Sequence, residues 1–299
     1  MAQSRTHALA LLNPAKWAAV AELTKARLNL SVVYSALAGY FLGAGTLEWL
    51  PLLFLSLGGY LVVGGANGFN QVIERDRDKK MQRTQNRPIP TGRLSVMEAM
   101  IASTLMALVG LFLLYLINPL AFTFGAGALF IYAVVYTPLK AGGPLAVFVG
   151  AIPGAIPALL GWVAATNDFD VEPGTLFAIQ FLWQFTHFWA IAWVAYDDYG
   201  RAGYNLLPSG KRDAKSARQI ILYTIALVTV SILPAWGLTG GLTLSLWGGV
   251  VALLLGLALL VLAVQLARGR QKQDARRLMI GSVVYLPLLQ LLYVIDKFI

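Results

Sequence analysis

Three oxygen-bearing side chains recur at a regular interval in the first third of the chain. Asn70, Glu74 and Asp78 follow one another every four residues. On a helix, which turns by about 100° per residue, this spacing places all three within an arc of about 80°. Mg²⁺ prefers a few protein oxygens together with water and substrate phosphate oxygens. The pattern therefore predicts a magnesium site on one helix face. A solvated helix end with charged pairs has the same spacing.

A group of cations follows these three residues directly. Arg83 and Arg87 precede a loop, 88–92, that contains two prolines and a glycine. Planar guanidinium groups match phosphate oxygens, and such a loop can turn back over a site. We therefore predict that both arginines bind phosphate. The other cations of the segment are attributed to membrane topology alone: Lys79, Lys80 and Arg93.

A second polar segment contains the adjacent aspartates Asp197 and Asp198. Neighbouring residues on a helix point about 100° apart, so both cannot face one ion. One of them is expected to coordinate a cation while the other caps a helix or forms an ion pair. Lys140 is the only cation between its two flanking apolar segments, which makes it either a topology anchor or a phosphate contact.

His187 lies within an apolar, aromatic-rich segment a few turns before these aspartates. An ionisable side chain deep in such a segment indicates a functional site. The aromatic residues around it are by themselves typical of a membrane-interface belt or of a core. Together with Gln184, they could line a pocket for a flat substrate with polar edges.

The composition identifies the class of protein that must position these residues. The 299 residues are 58% hydrophobic and 12% charged, with a mean hydropathy of +0.68, whereas a soluble domain has about 25% charged residues. The apolar runs are too long for barrel strands, and open sheets cannot satisfy their backbone in lipid. We therefore predict an all-α polytopic membrane protein. The absence of cysteine excludes disulfides and thiolate chemistry.

Nine stretches are long enough to cross a hydrocarbon core of about 30 Å, which takes about 20 residues per helix. They form a single predicted domain, 28–299, after an N-terminal segment, 1–27, that lacks the features of a signal peptide. Part of that segment, 11–25, is partly amphipathic, and we give His7 no role. The predicted spans are 28–47, 50–73, 95–117, 119–136, 144–164, 174–195, 217–238, 242–267 and 278–298.

The cations are distributed on one side of these spans. Of the 23 lysines and arginines, all except Lys297 fall in the N-terminal segment or in connections on the same side. The positive-inside rule then places the N-terminus in the cytoplasm and the C-terminus outside. This asymmetry also accounts for the net charge of +9 without nucleic acid as a partner.

Several motifs resemble those of one known family. Asn70-x-x-x-Glu74-x-x-x-Asp78, followed by Arg83 and Arg87, is similar to the first signature of the UbiA-type intramembrane prenyltransferases. Further matches favour the branch of this family that acts on haem: Leu23-Thr24-Lys25-x-Arg27, Tyr136-Thr137-x-x-Lys140, the run 150–157, Trp183-Gln184-x-x-His187-Phe188 and Asp198-Tyr199. The sequence departs from the pattern in three places: Glu74 replaces a frequent Asp, Ala26 replaces a usual Pro, and no second Asp follows Asp197 or Asp198 four residues later.

The resemblance implies a nine-helix, UbiA-like bundle in the bacterial inner membrane that transfers a farnesyl group from farnesyl diphosphate to a vinyl group of haem B, with hydroxylation, giving haem O. The implied cofactor is Mg²⁺, and haem A synthase is a candidate partner that takes the product. The implied roles are metal binding by Asn70, Glu74, Asp78 and Asp197 or Asp198, diphosphate binding by Arg83, Arg87 and Lys140, and haem contact by Gln184 and His187. A UbiA-type enzyme with another aromatic or tetrapyrrole acceptor is the alternative. A transporter is less favoured, because the acidic residues lie at helix ends.

Overall fold

The computed structural model describes residues 14–299. Arg5, His7 and the first part of the predicted segment 11–25 lie outside the described residues. Across residues 14–299 the chain is helical, without strands. The helices are α1 (Pro14–Thr24), α2 (Ala26–Gly43), α3 (Trp49–Asp78), α4 (Val96–Ile117), α5 (Pro119–Phe130), α6 (Leu145–Thr166), α7 (Val171–Val194), α8 (Tyr196–Arg201), α9 (Ala214–Ile232), α10 (Leu246–Gly269) and α11 (Lys272–Phe298).

Two of these helices continue into tighter or wider turns. Helix α5 passes into a π-helical segment, Ile131–Tyr136, and then into the short turns Thr137–Leu139 and Lys140–Gly142. Helix α9 ends in a 3₁₀ turn, Leu233–Trp236. π-Helical segments inside α-helices are uncommon and often occur at functional sites. The one after α5 leads directly to Lys140, which the sequence analysis singled out.

Each of the nine predicted spans coincides with a helix. Within the described part of the chain, seven helical stretches are both long and apolar enough to cross a membrane. Helices α2 and α7 are not among them. Helix α2 carries Arg27 and Asn29 in its first turn, whereas α7 carries Gln180, Gln184 and His187. These polar side chains lower the mean hydropathy of both helices; Asn29, Gln180 and Gln184 are buried, whereas Arg27 is exposed.

The helices pack in two groups around α6. Helices α2 to α5 form the first group, α7, α9 and α10 lie on the other side, and α11 contacts α2, α7 and α10. Helix α6 is the most enclosed span, with 72% of its apolar window buried. Small residues allow α2 and α6 to approach closely, since a Cβ atom on Gly161 would lie 1.8 Å from the Ala36 carbonyl oxygen.

Lys297, the exception to the charge asymmetry, has a structural partner. Its ammonium donates to the carbonyl oxygens of Phe41, Leu42 and Ala44 at 3.0, 2.7 and 2.8 Å. The last carbonyls of a helix have no intrahelical donor, and a cation there also interacts favourably with the helix dipole. Lys297 therefore caps the end of α2 and joins the last helix to the first membrane helix.

Candidate functional site

The predicted cation-binding face lies at the end of α3. Asn70, Glu74 and Asp78 all point into the protein, with relative exposures of 3%, 2% and 0%. Helix α3 is 30 residues long and continues unbroken to Asp78. Because all three side chains are enclosed, the alternative of a solvated helix end is wrong.

Two buried ion pairs organise this end of α3. The Lys140 ammonium lies 3.1 Å from Oε1 of Glu74 and 3.2 Å from Oε2. The Arg87 guanidinium donates to Oδ2 of Asp78 at 2.7 Å. A buried charge that loses its partner costs several kcal/mol. Within each pair, each residue therefore holds its partner in position. The structure thus brings the predicted metal and phosphate residues into direct contact.

Each carboxylate keeps one oxygen without a hydrogen bond. Oδ1 of Asp78 is buried and unpartnered, and Oε1 of Glu74 is within ion-pair distance of Lys140 but not in hydrogen-bond geometry. Buried polar atoms without a partner are rare and call for an explanation. Within residues 14–299, no three His, Asp or Glu side chains form a ready-made metal cluster. The donor set is instead two carboxylates and an amide, which fits an oxygen-preferring cation that keeps other ligands.

The π-helical segment positions Lys140 against α3. The backbone N–H of Thr137 donates to the Tyr132 carbonyl oxygen five residues earlier, as expected for a π-helical turn, and the Thr137 hydroxyl donates to the same oxygen at 2.8 Å. The same hydroxyl accepts a hydrogen bond from the side-chain amide of Asn70 at 3.2 Å. Asn70 therefore fixes the segment that carries Lys140, and Lys140 is itself only 8% exposed.

Lys25 adds a cation that the sequence analysis noted only as a family match. It separates α1 from α2 in a left-handed conformation, with φ 57° and ψ 58°. Its ammonium donates to Oδ1 of Asn67 at 3.0 Å. The carbonyl oxygens of Leu23 and Thr24, which the helix break leaves free, accept from Gln71 and Asn67 on α3. The break is thus supported by α3, and it directs Lys25 toward the site.

The surroundings of Lys25 are both enclosed and positive. Burial and the nearby guanidinium of Arg87 lower the pKa of Lys25 to about 7, and Lys140 acts in the same direction. An anion that binds among the three cations would offset their mutual repulsion and stabilise the charged form of Lys25. This arrangement favours an anionic ligand at the end of α3.

The two adjacent aspartates have separate roles. Asp198 accepts hydrogen bonds from the backbone N–H groups of Gln82 at 2.8 Å and Arg83 at 3.3 Å, and it also pairs with Arg201. Burial acts to raise the pKa of Asp198, but these hydrogen bonds outweigh it and hold the pKa below its ordinary value. Asp198 therefore holds the start of the loop that follows α3.

Asp197 points elsewhere. Its carboxylate pairs with Arg212 at 3.1 Å, and its side chain is 69% exposed. The structure therefore does not bring Asp197 to Glu74 and Asp78. Tyr199 and Tyr204 lie near the Lys140 ammonium, with ring centroids 5.9 and 4.7 Å from it. Tyr199 belongs to a motif that the sequence analysis noted, whereas Tyr204 was missed.

His187 and Gln184 lie in α7 but face different neighbours. The Gln184 amide donates to the Gly154 carbonyl oxygen of α6 at 2.7 Å. Nδ1 of His187 lies 2.9 Å from the hydroxyl of Ser282 in α11, and the Trp183 ring stacks on the imidazole at 4.7 Å. The two side chains thus have partners on different neighbouring helices, α6 and α11, and their contact with one substrate stays a prediction.

The hydrogen bonds around His187 favour one tautomer. The Ser282 hydroxyl lies 2.8 Å from the Met279 carbonyl oxygen, to which it can donate its proton. This arrangement favours the tautomer in which Nδ1 of His187 donates to the Ser282 hydroxyl. Nε2 then retains its lone pair, the state in which an imidazole can accept a hydrogen bond or bind a metal.

Comparison with known proteins identifies the family. Residues 32–286 match the UbiA prenyltransferase family. The chain therefore belongs to that family and is a multi-pass membrane prenyltransferase. It is 52% identical over 278 residues to the protoheme IX farnesyltransferase of Christiangramia forsetii, with 93% of each chain covered. It is also 38% identical to the mitochondrial protoheme IX farnesyltransferase of Arabidopsis thaliana, over 89% of this chain and 62% of that one.

Solved structures of the family share the fold. A digeranylgeranylglyceryl phosphate synthase structure superimposes with a TM-score of 0.78 at 17% identity, covering 94% of this chain and 98% of that one. A UbiA homologue from Archaeoglobus fulgidus bound to DMAPP and Mg²⁺ gives a TM-score of 0.67 at 16% identity, covering 92% and 98%. The expected UbiA-like, all-helical architecture is confirmed.

Proposed function

We propose that this chain transfers the farnesyl group of farnesyl diphosphate to a vinyl group of haem B, giving haem O and diphosphate. One observation carries the proposal: the predicted metal ligands and phosphate ligands form two adjoining buried ion pairs, Glu74–Lys140 and Asp78–Arg87. The 52% identity to a protoheme IX farnesyltransferase supports farnesyl and haem as the substrates.

The proposed cofactor is Mg²⁺, held by Glu74, Asp78 and Asn70. The free carboxylate oxygens of the two acids fit such an ion. Bound there, Mg²⁺ supplies positive charge to the diphosphate oxygens as the allylic C–O bond breaks. Asp198 would join this site only by releasing the N–H groups of Gln82 and Arg83, and Asp197 only by leaving Arg212.

The cations of the ion pairs bind the leaving group in this scheme. Once Glu74 and Asp78 face the metal, Lys140 and Arg87 are free to bind diphosphate oxygens. Arg83, on the same loop as Arg87, adds a further contact. The electron pair of the C–O bond leaves with the diphosphate, and these cations stabilise the charge that develops there.

The acceptor step conserves atoms and electrons. The vinyl double bond of haem B supplies the electron pair for the new bond to C1 of the farnesyl group. Water then adds to the vinyl carbon next to the porphyrin ring and releases one proton. His187 contacts the haem through Nε2, and Gln184 contributes to the same face of the pocket after leaving the Gly154 carbonyl.

The proposed setting is the bacterial inner membrane, with nine spans, a cytoplasmic N-terminal segment (1–27) and the C-terminus outside. The nine helices that coincide with predicted spans and the one-sided cations support this topology. In this orientation the diphosphate site faces the cytoplasm. Haem A synthase is the proposed partner that receives the product.

The acceptor is tested directly. Purified protein is incubated with farnesyl diphosphate, Mg²⁺ and either haem B or 4-hydroxybenzoate, and products are separated by mass spectrometry. Haem O should form, and His187→Gln should reduce its yield while farnesyl diphosphate still binds. Product from the phenol alone would assign the chain to the alternative, a UbiA-family enzyme with another acceptor.

A further inference from the structure

The segment after α8 forms a tight helix end that brings two tyrosines together. Gly203 adopts φ +75°, a left-handed conformation that glycine reaches without strain. The N–H of Tyr204 donates to the Tyr199 carbonyl oxygen at 2.9 Å, and the N–H of Gly203 donates to that of Gly200 at 3.1 Å. This pair of bonds is a Schellman motif, which typically places the side chains of its first and last residues in contact.

The two rings pack against each other and against cations. The centroids of Tyr199 and Tyr204 are 6.0 Å apart, with the ring planes at 81°. The Lys140 ammonium lies 4.7 Å from the Tyr204 centroid and 5.9 Å from that of Tyr199. A cation within about 6 Å of an aromatic centroid is attracted by the negative face of the ring, most strongly where water is excluded.

Tyr204 is well suited to this contact. It is 4% exposed, and its buried hydroxyl lies beside Glu74 and Arg77 without hydrogen-bond geometry to either. The ring therefore offers Lys140 a second attraction that does not depend on a carboxylate.

Lys140 needs such a second attraction if Glu74 binds a metal. Its ammonium is enclosed, and Glu74 is its only carboxylate partner among the described residues. Without either partner the charge would be buried and uncompensated. We propose that Tyr204 is a positioning residue whose ring holds the Lys140 ammonium in place for diphosphate while Glu74 turns to the metal. This inference rests on the diphosphate site proposed above.

The test measures binding of inorganic pyrophosphate with Mg²⁺ to the full-length purified protein by calorimetry. Tyr204→Leu, which removes the ring, should weaken binding roughly five- to thirtyfold, as expected for a partly desolvated cation–π contact. Tyr204→Phe, which removes only the hydroxyl, should bind within about twofold of the unaltered chain. Equal losses in both variants, or no loss in Tyr204→Leu, would overturn the proposal.

A double-mutant cycle separates positioning from general packing. In a Lys140→Met background, Tyr204→Leu should cause little further loss, because the ring acts through the ammonium. Fully additive losses would contradict that role. If Tyr204→Leu does not fold, phenylalanine with ring fluorines at position 204 keeps the shape but weakens the negative face, and its affinity should fall below that of Tyr204→Phe. Equal affinity of the two would again reject the proposal.

The unaltered chain separates this inference from the proposed function. If it does not bind pyrophosphate with Mg²⁺, the diphosphate site itself is wrong. If it binds and the Tyr204 variants bind equally well, only the role of Tyr204 is wrong.

Discussion

The chain has acidic residues at the ends of two helices, α3 and α8, and the two ends use them differently. At the end of α3, Glu74 and Asp78 are at most 2% exposed and each keeps an oxygen without a hydrogen bond. At α8, Asp197 is largely exposed, and Asp198 is engaged by backbone N–H groups and an arginine. The α3 acids are thus available to a ligand, whereas the α8 acids hold the surrounding protein together.

The difference arises from the elements that cover each end, not from residue type. The π-helical segment and the loop after α3 bring Lys140 and Arg87 over the α3 acids, which excludes water. At α8, the loop after α3 donates two N–H groups to Asp198, and Asp197 faces solvent and Arg212. The two ends therefore differ in whether the covering elements leave a buried carboxylate oxygen unpaired. The following experiments test that comparison.

Asp78→Asn should have the largest effect. It leaves the Arg87 guanidinium enclosed beside a neutral amide, which should destabilise the protein by about 3 kcal/mol. Farnesyl transfer in membranes at saturating Mg²⁺ should fall at least roughly 100-fold, since a preorganised charge is lost. Asp197→Asn is the matched control and should stay within about twofold, because exposed ion pairs contribute little. Near-normal transfer by Asp78→Asn would show that the metal assignment is wrong.

Lys25→Gly should separate binding from folding. Glycine adopts the left-handed conformation of residue 25 without strain, so the free energy of unfolding should change by less than about 1 kcal/mol. Pyrophosphate affinity should fall roughly tenfold, because a charge-assisted contact is removed. Arg270→Gly is the control: Arg270 has the same φ sign at the end of α10, and its replacement should leave affinity unchanged. A matching loss in both variants would indicate a backbone effect instead.

Asp198→Asn should have a moderate effect that differs in kind from that of Asp78→Asn. The loop carrying Arg83 and Arg87 loses a charged acceptor, so the KM for farnesyl diphosphate should rise roughly three- to tenfold. Hydrogen exchange should increase at 82–83, and Mg²⁺ affinity should stay nearly constant. If Mg²⁺ affinity instead falls as far as it does in Asp78→Asn, then Asp198 is a metal ligand and the two helix ends are alike.

The smallest effect concerns pH. The pKa of Lys25 is lowered from 10.5 to about 7, so the ammonium is charged below pH 7 and increasingly neutral above it. Pyrophosphate affinity should therefore fall roughly three- to tenfold more between pH 6 and 8 than it does in Lys25→Arg, which stays charged. The ratio of the pyrophosphate affinities of the two proteins cancels the titration of pyrophosphate itself. Parallel pH profiles would show that Lys25 does not face the ligand.

Local patterns were sufficient to predict part of the site. The four-residue spacing of Asn70, Glu74 and Asp78 placed them on one face, because helical periodicity depends only on the helix itself. The apolar runs likewise predicted nine spans, and each of them coincides with a helix. Membrane helices are predictable in this way because lipid leaves the backbone few alternatives.

Other features depend on contacts between distant segments. Nothing local marks the left-handed break at Lys25, which carries no glycine or proline and is supported by Asn67 and Gln71. Tyr204 was missed because its role depends on Lys140, although Gly203 was a usable signal for a helix end. The different partners of Gln184 and His187 likewise depend on which helices pack against α7.

The cap that Lys297 places on α2 has a consequence for the order of biogenesis. The carbonyl oxygens of Phe41, Leu42 and Ala44 accept hydrogen bonds from Lys297, which lies more than 250 residues later in the chain. During synthesis these carbonyls have no Lys297 donor until α11 has been made. We therefore expect the end of α2 to be capped only after α11 has inserted.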